Sequence, residues 1–369
     1  MIIINLLIWC YLSFVVCISA DEICSTKGQK GNCILLRNCP SLFKLFHKGR
    51  TQSDNEKLKK AECGQSKVCC EDQVSASEDQ VAASLTPISK FLPTYKQCGI
   101  DFGNFKIKGG EETGLKEFPW MAMLIYLLDN CTNKTRNCEV TSCGGVLISK
   151  RYVLTAAHCF QMHWKKLVKV RLGEHDTTQP IDCIKNQGCN NPPVEIQIEK
   201  IIAHPKYNAT DIDQQNDIAL IRLAANVEFS DFIQPICIPN TNKEIKIGGK
   251  LSPMWASGWG ATETGPYSKK KLKLKLMHQD TTMCQKKFGN MRKISDRIQF
   301  CAGGEKGKDT CNRDSGGPIM CPYGIEKDVK WFTTGIVSYG PDPCGQEGKP
   351  AVYTRVNAYT DWIIDNLKE

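Results

Sequence analysis

Cysteine placement constrains this chain more than any other feature. The sequence holds 21 cysteines, and two of them, Cys10 and Cys17, sit in an apolar N-terminal run, leaving 19 downstream. So many in one chain require an oxidising compartment and read as a disulfide framework. The odd total leaves one cysteine over. The first 20 residues carry no Lys, Arg, Asp or Glu and end in the small residues Ser19 and Ala20. That is the pattern of a secretory signal peptide, although the usual basic start is missing. The rival, an uncleaved membrane anchor, lacks the stop-transfer charge cluster that would follow it. The expected protein is therefore secreted and extracellular, with no membrane span in its mature form.

The cysteines also divide the chain. Six of them, at 24, 33, 39, 63, 69 and 70, fall within residues 21–70, and the next is Cys98. A module of that size has too small a core to stand without disulfides. The stretch 71–97 opens on the polar run EDQVSASEDQ and reads as a linker. From Cys98 onward come many short apolar runs, among them WMAMLIYLL, GGVLI, EIQIEKIIA, IALIRL and FTTGIVSY, separated by Gly, Pro, Asn and Asp. Short strands with frequent turns predict an all-β barrel or sandwich. One clear helix is expected, after Asn357, with that residue as its cap. No internal repeat is visible. Hydrophobic residues make up 41% and charged residues 24%, which excludes disorder as the default. The net charge of +9 suggests a basic patch and does not point to nucleic acid.

Three local patterns carry chemistry. TAAHC places His158 beside Cys159, NDIAL places Asp217 at the head of an apolar run, and RDSGGP places Ser315 before two glycines. A serine hydroxyl is a poor nucleophile at neutral pH. It needs an imidazole to take its proton, and a buried carboxylate to hold the tautomer and stabilise the imidazolium. Each residue alone has an ordinary explanation, a structural histidine or a Ser-Gly-Gly turn. The order His–Asp–Ser with all three flanking patterns intact is far harder to obtain by chance.

With these motifs, residues 98–369 resemble the chymotrypsin-like (trypsin-like) serine proteases; ASGWG at 256–260 and AVYTRV at 351–356 match further landmarks of that family. The resemblance implies two six-stranded antiparallel β-barrels with a C-terminal helix. It also implies a catalytic cleft in which His158 is the general base, Asp217 its partner and Ser315 the nucleophile. The oxyanion hole would be the backbone N–H groups of Arg313 and Ser315. Asp309 would lie at the floor of the specificity pocket and select Lys or Arg, with Ser338, Gly340 and Ala351 along its walls. Two departures stand out: Arg313 and Ala351 replace residues that are usually glycine in the family.

Activation is implied by the same resemblance. The family's mature chains begin with an Ile-Val-Gly-Gly-like sequence, and here FK-IKGG predicts a cut between Lys106 and Ile107. The new Ile107 ammonium would enter the protein and pair with Asp314. Because a buried charge is costly unpaired, that ion pair would order the pocket and oxyanion hole.

The six N-terminal cysteines resemble a clip domain, a module found before the protease domain in arthropod extracellular cascades. It would pair Cys24–Cys69, Cys33–Cys63 and Cys39–Cys70, although six cysteines alone permit fifteen pairings. Docking onto a partner is its expected role, a mere spacer the rival. By family position, Cys143–Cys159, Cys284–Cys301 and Cys311–Cys344 are core bridges, and Cys98–Cys237 ties the light chain to the catalytic chain. Cys131–Cys138 and Cys183–Cys189 would close local loops. Cys321 is left over, either buried as a thiol or joined to another molecule.

Lesser signals complete the reading. Asn130, Asn133 and Asn208 match the N-glycosylation pattern. Lys269, Lys270, Lys271, Lys273 and Lys275 alternate in part with leucines, as in a half-buried strand with a basic outer face, a solvated surface before a heparin-like site. Glu174 in RLGEHD resembles the start of a calcium loop in some members, which makes calcium a candidate ligand; no cofactor is required.

The expectation is thus a signal peptide (1–20), a clip domain (21–70), a linker and activation segment (71–106) and a protease domain (107–369). The protein would be a secreted zymogen of the prophenoloxidase-activating or easter-like type, cleaving after Lys or Arg in a melanisation, Toll, clotting or venom cascade. Its partners would be protein substrates, themselves zymogens, an upstream activating protease, and serpin or Kunitz-type inhibitors. The rival is a weakly active or inactive homologue serving as a binding cofactor.

Overall fold

Apolar runs of five to ten residues set the strand lengths, and a computed structural model shows how they close on themselves. It describes residues 89–103, 111–129, 131, 138–185, 188–239, 253–262, 265–289, 292–323 and 329–369, Ala61, and the backbone of four N-terminal strands. These fall into two compact units, one within Ile18–Lys90 and one running from Phe91 to the C-terminus.

The first unit is an antiparallel sheet of β1 (Glu22–Thr26), β2 (Gln29–Leu35), β3 (Glu62–Gly64) and β4 (Lys67–Cys70), ordered β1-β2-β4-β3. Cys33 and Cys69 stand opposite each other in the β2–β4 register. The three bridges expected in this unit involve side chains outside the described residues.

The second unit starts with the two-residue β5 (Glu111–Glu112) and then builds a closed barrel. Its strands are β6 (Met121–Leu128), β7 (Glu139–Leu147), β8 (Tyr152–Thr155), β9 (Lys165–Leu172), β12 (Val194–Ala203) and β13 (Ala219–Leu223). A small hairpin, β10 (Cys183–Ile184) with β11 (Gly188–Cys189), projects between β9 and β12. The second barrel takes β14 (Pro253–Gly258), β15 (Leu272–Gln279), β16 (Gln299–Ala302), β17 (Pro318–Tyr323), β18 (Lys330–Tyr339) and β19 (Ala351–Arg355). It closes through the β14–β15 pairing, with β5 added outside β15. All the pairings are antiparallel, so the fold is two six-stranded antiparallel barrels.

Aromatic residues seal the junction of the barrels. Phe118 and Trp331 meet edge to face at 5.0 Å, Trp120 lies 6.2 Å from Trp331, and the Trp120 indole N–H donates to Met320 Sδ at 2.9 Å. Each such ring buries roughly 150–250 Å². The described disulfides are Cys98–Cys237, Cys131–Cys138, Cys143–Cys159, Cys183–Cys189, Cys284–Cys301 and Cys311–Cys344. Cys321 is buried on β17, outside any disulfide, among Met254, Phe300 and Ile319. No helix among the described residues is long and apolar enough to cross a membrane.

Three sequence expectations need correction. The C-terminal helix α2 (Thr360–Asn366) follows a 3₁₀ turn (Val356–Tyr359), so Asn357 lies inside that turn and caps nothing. A second helix, α1 (Thr281–Phe288), had no strong signature; Asp280 caps it through bonds to the N–H groups of Thr282 and Met283. The basic face of β15 faces outward from the barrel but is only partly solvated. Strand β5 pairs with the edge of β15, Lys271 and Lys273 are buried, and Lys273 pairs with buried Glu117, from the turn after β5, at 2.8 Å. Lys269, Lys270 and Lys275 remain exposed, Lys270 pairing with Glu112.

Candidate active site

The site lies where turns from both barrels meet. His158 sits in a 3₁₀ turn (Ala157–Phe160) directly after β8, held to β7 by the Cys143–Cys159 bridge. Asp217 precedes β13 and is fully buried. Its neighbour Asn216 adopts φ 58°, a left-handed conformation that asparagine tolerates better than most residues, and accepts from the Tyr359 hydroxyl at 3.1 Å. One carboxylate oxygen of Asp217 accepts the His158 backbone N–H at 2.9 Å, and the other lies 2.7 Å from His158 Nδ1. The same second oxygen accepts from Ser338 Oγ at 2.6 Å, and Thr354 Oγ1 donates to the Asp217 carbonyl at 2.8 Å.

Electrostatics follow from this burial. Desolvation opposes charge on both partners, yet the Asp217 charge and hydrogen bond raise the His158 pKa above its ordinary value. The imidazole and three hydrogen bonds hold Asp217 below the usual carboxylate range despite its burial. The Asp217 carboxylate thus favours the protonated form of the ring, which helps the imidazole to take up a proton.

Ser315 enters from the second barrel, between the Cys311–Cys344 bridge and β17. Its carbonyl accepts from Gly144 N–H of β7 at 2.8 Å, and Cys159 Sγ lies 3.8 Å from that carbonyl and 3.9 Å from His158 Nε2. The turn is tight at Gly316, φ 75°, where an added Cβ would strike Thr155 and Gly144. Arg313 carries φ 80°, a value glycine adopts freely and arginine rarely. Its guanidinium stacks 4.0 Å from the centroid of the Tyr267 ring.

Two half-buried acids flank this turn. Asp314 accepts the N–H groups of Gly260 (2.9 Å) and Cys311 (3.0 Å), yet no cation among the described residues pairs with it. Burial pushes its pKa up to about 6. Asp309 has one oxygen buried without a partner, and burial pushes its pKa to about 7. Asp309, Gly340 and Ala351 converge: a Cβ placed on Gly340 would lie 3.1 Å from the Ala351 methyl and 3.9 Å from Asp309 Oδ2. A cavity of about 360 Å³ opens beside both acids, lined by Ser257, Gly258, Gly260, Thr262 and Leu272 among others.

The other candidate positions are mixed. Lys106, Ile107, Asn130 and Asn133 lie outside the described residues. Asn208 is exposed, and its side-chain oxygen accepts from the Thr210 amide and hydroxyl. Glu174 is engaged by Arg171 at 3.1 Å and by the His175 N–H at 2.9 Å, so the acid on which the calcium expectation rests already has a cationic partner. Among the described residues the one cluster of three potential metal ligands is Cys143, His158 and Cys159, whose cysteines are joined to each other.

Comparison with known proteins decides the family. The model described as "Trypsin" matches residues 107–363, and that described as "Regulatory CLIP domain of proteinases" matches residues 24–70. The chain belongs to the clip-domain serine proteases of the trypsin family. It is 39% identical to the CLIP domain-containing serine protease HP8 of Bombyx mori, covering 93% of this chain and 94% of that one. It is 37% identical to melanization protease 1 of Drosophila melanogaster, covering 94% and 93%. Among solved structures, the Drosophila Grass clip serine protease of the Toll pathway superposes with a TM-score of 0.62 at 31% identity, covering 94% of this chain and 97% of that one.

Sequence reading of this clip-domain protease missed the bond from Ser338 to Asp217. Ser338 figured there only as a wall of the substrate pocket, and nothing local to VSYG signals a partner 121 residues away.

Proposed function

We propose that the protein is a secreted zymogen of a trypsin-like endopeptidase, cut after Lys106 and then cleaving proteins after Lys or Arg in an extracellular defence cascade. The observation that carries this reading is the fully buried Asp217, which gathers the His158 ring, the His158 amide and the Ser338 hydroxyl on one carboxylate, while the Ser315 carbonyl lies 3.8 Å from the Cys159 sulfur that adjoins the same ring. In this role Ser315 Oγ attacks the scissile carbonyl and His158 takes its proton. Asp217 stabilises the imidazolium, and the Arg313 and Ser315 N–H groups receive the oxyanion.

The two acids that have no cationic partner among the described residues support the remaining assignments. Asp309 beside Gly340 suits a basic substrate side chain, which would supply the charge its buried carboxylate lacks. Asp314 beside the 360 Å³ cavity suits the Ile107 ammonium freed by the cut. The clip module would dock partners, the cascade substrates being other zymogens and the controls serpin or Kunitz-type inhibitors. Relatives named for melanisation, phenoloxidase activation and the Toll pathway support that setting. The glycine-like φ of Arg313 favours the active enzyme over a cofactor role, because it keeps that N–H where glycine would hold it.

Labelling with a serine-directed phosphonate tests the reading. Limited trypsin should produce a chain beginning at Ile107 that labels strongly, the uncut form weakly, and Ser315→Ala not at all. Equal labelling before and after the cut removes the zymogen, and label retained by the alanine variant removes Ser315.

A further inference from the structure

Three lysines are almost fully buried among the described residues: Lys165, Lys271 and Lys273, exposed by 5%, 3% and 4%. Two have acids for company. Lys273 pairs with Glu117, and Lys271 sits in the field of Glu117, Asp101, Glu174 and Asp182. Lys165 does not. Its Nζ is buried without a hydrogen-bond partner, held between the rings of Tyr126 and Trp164, each centroid 4.5 Å away. Among the described residues the charged group that acts on it is a second cation, Arg313. Burial first, and that like charge second, push the Lys165 pKa down to about 8.

A cation enclosed in this way has no counter-ion among the described residues, which makes the arrangement unfavourable until an anion arrives. Its location indicates where the anion would come from. Lys165 opens β9, just after the turn that carries His158, and pairs across the sheet with Leu128 at the end of β6. The Trp164 carbonyl is pinned by the Asp129 N–H at 3.1 Å, while its ring, 57% exposed, covers the ammonium from the solvent side. On the other flank Arg313 extends from the residue before Asp314 onto Tyr267, which is 42% exposed. A substrate whose basic side chain fills the pocket at Asp309 and whose carbonyl meets Ser315 departs past Arg313 and the Cys143–Cys159 bridge. On this reading the residues following the cut leave on the side of Arg313, whose charge also acts on Lys165.

We propose that Lys165 and Arg313, flanked by Trp164 and Tyr267, form a subsite for the leaving side of the substrate that selects an Asp or Glu carboxylate within the first two positions after the cut. The inference rests on the protease reading above and adds to it a substrate class. Rotation of the exposed Trp164 ring uncovers the ammonium, and the incoming carboxylate supplies the missing charge to both cations. A basic residue in the same place meets two like charges, so selection arises from repulsion as well as attraction.

The test uses the full chain cut after Lys106 and peptides with Arg before the cut and Ser after it, varied as Glu, Ala or Lys at the next position. A second series varies the position directly after the cut. In one of the two series kcat/KM should favour Glu over Lys by about tenfold or more, and the ratio should shrink at ~1 M salt, where charges are screened beyond about 3 Å. Lys165→Arg should keep the ratio and Lys165→Gln should lower it severalfold. Ratios near one in both series of the wild type overturn the subsite, whether or not either variant folds. Cleavage of neither the peptides nor a simple Arg ester is a different failure, of the protease reading itself, and the subsite falls with it.

Discussion

Ser338 donates its hydroxyl to Asp217 at 2.6 Å, on the same oxygen that holds the His158 ring. That oxygen is buried where no water substitutes for a lost donor. Hydrogen bonds to charged groups contribute about 1.5–3 kcal/mol. Ser338→Ala should therefore reduce kcat/KM by roughly tenfold or more on a small Arg ester while leaving the protein folded. Unchanged ester kinetics would show that the two bonds from His158 suffice to hold the carboxylate.

The Asp309 carboxyl, raised to about 7 by burial, makes binding of a basic ligand depend on pH in a defined direction. Below that value the acid is protonated, so a cation binds only as a proton leaves. Above it the carboxylate already exists and affinity levels off. Benzamidine affinity, measured by calorimetry on the cut protein, should fall about tenfold per pH unit below about 7. A flat profile between about pH 5 and 8 would place the cation elsewhere.

Arg313 holds φ 80° where glycine would carry no strain. A non-glycine residue in that region costs about 1–2 kcal/mol, and stacking on Tyr267 returns about 0.5–1 kcal/mol. Arg313→Gly should thus leave thermal stability equal or slightly higher and change ester turnover by less than about threefold. A hundredfold rise with glycine, about 3 kcal/mol, would mean that the arginine displaces the oxyanion donor in the native protein.

The Lys273–Glu117 pair is buried at both ends. Removing one partner should cost about 3–5 kcal/mol, because the other charge is left stranded. Chemical unfolding of Lys273→Ala tests the loss, and the double variant Lys273→Met with Glu117→Leu should recover most of it. Equal stability of single and double variants would show that the pair contributes packing alone.

The legible parts of this molecule were those encoded within a few residues. TAAHC, NDIAL and RDSGGP each hold a side chain together with the turn that presents it, and short apolar runs mark the barrel strands. What stayed hidden depends on register between distant segments. Ser338 meets Asp217 only because β18 of the second barrel brings it there from 121 residues away, and alternation along β15 cannot reveal that Glu117 pairs with its Lys273 from 156 residues away. Helix α1 buries little beyond Cys284, so its apolar period is faint. The enclosure of Lys165 likewise needs Tyr126 from a neighbouring strand.

The Cys98–Cys237 bridge closes a span of 139 residues, which contains the proposed cut after Lys106. While the chain is whole, the bond acts mainly on the unfolded state, shrinking the ensemble the chain can explore. Once the peptide bond is hydrolysed, the same bond sets molecularity. Unfolding of the cut protein stays a unimolecular event, so its midpoint should be independent of protein concentration. Reduction of that one bridge would turn it into a dissociation, with a midpoint that rises with concentration.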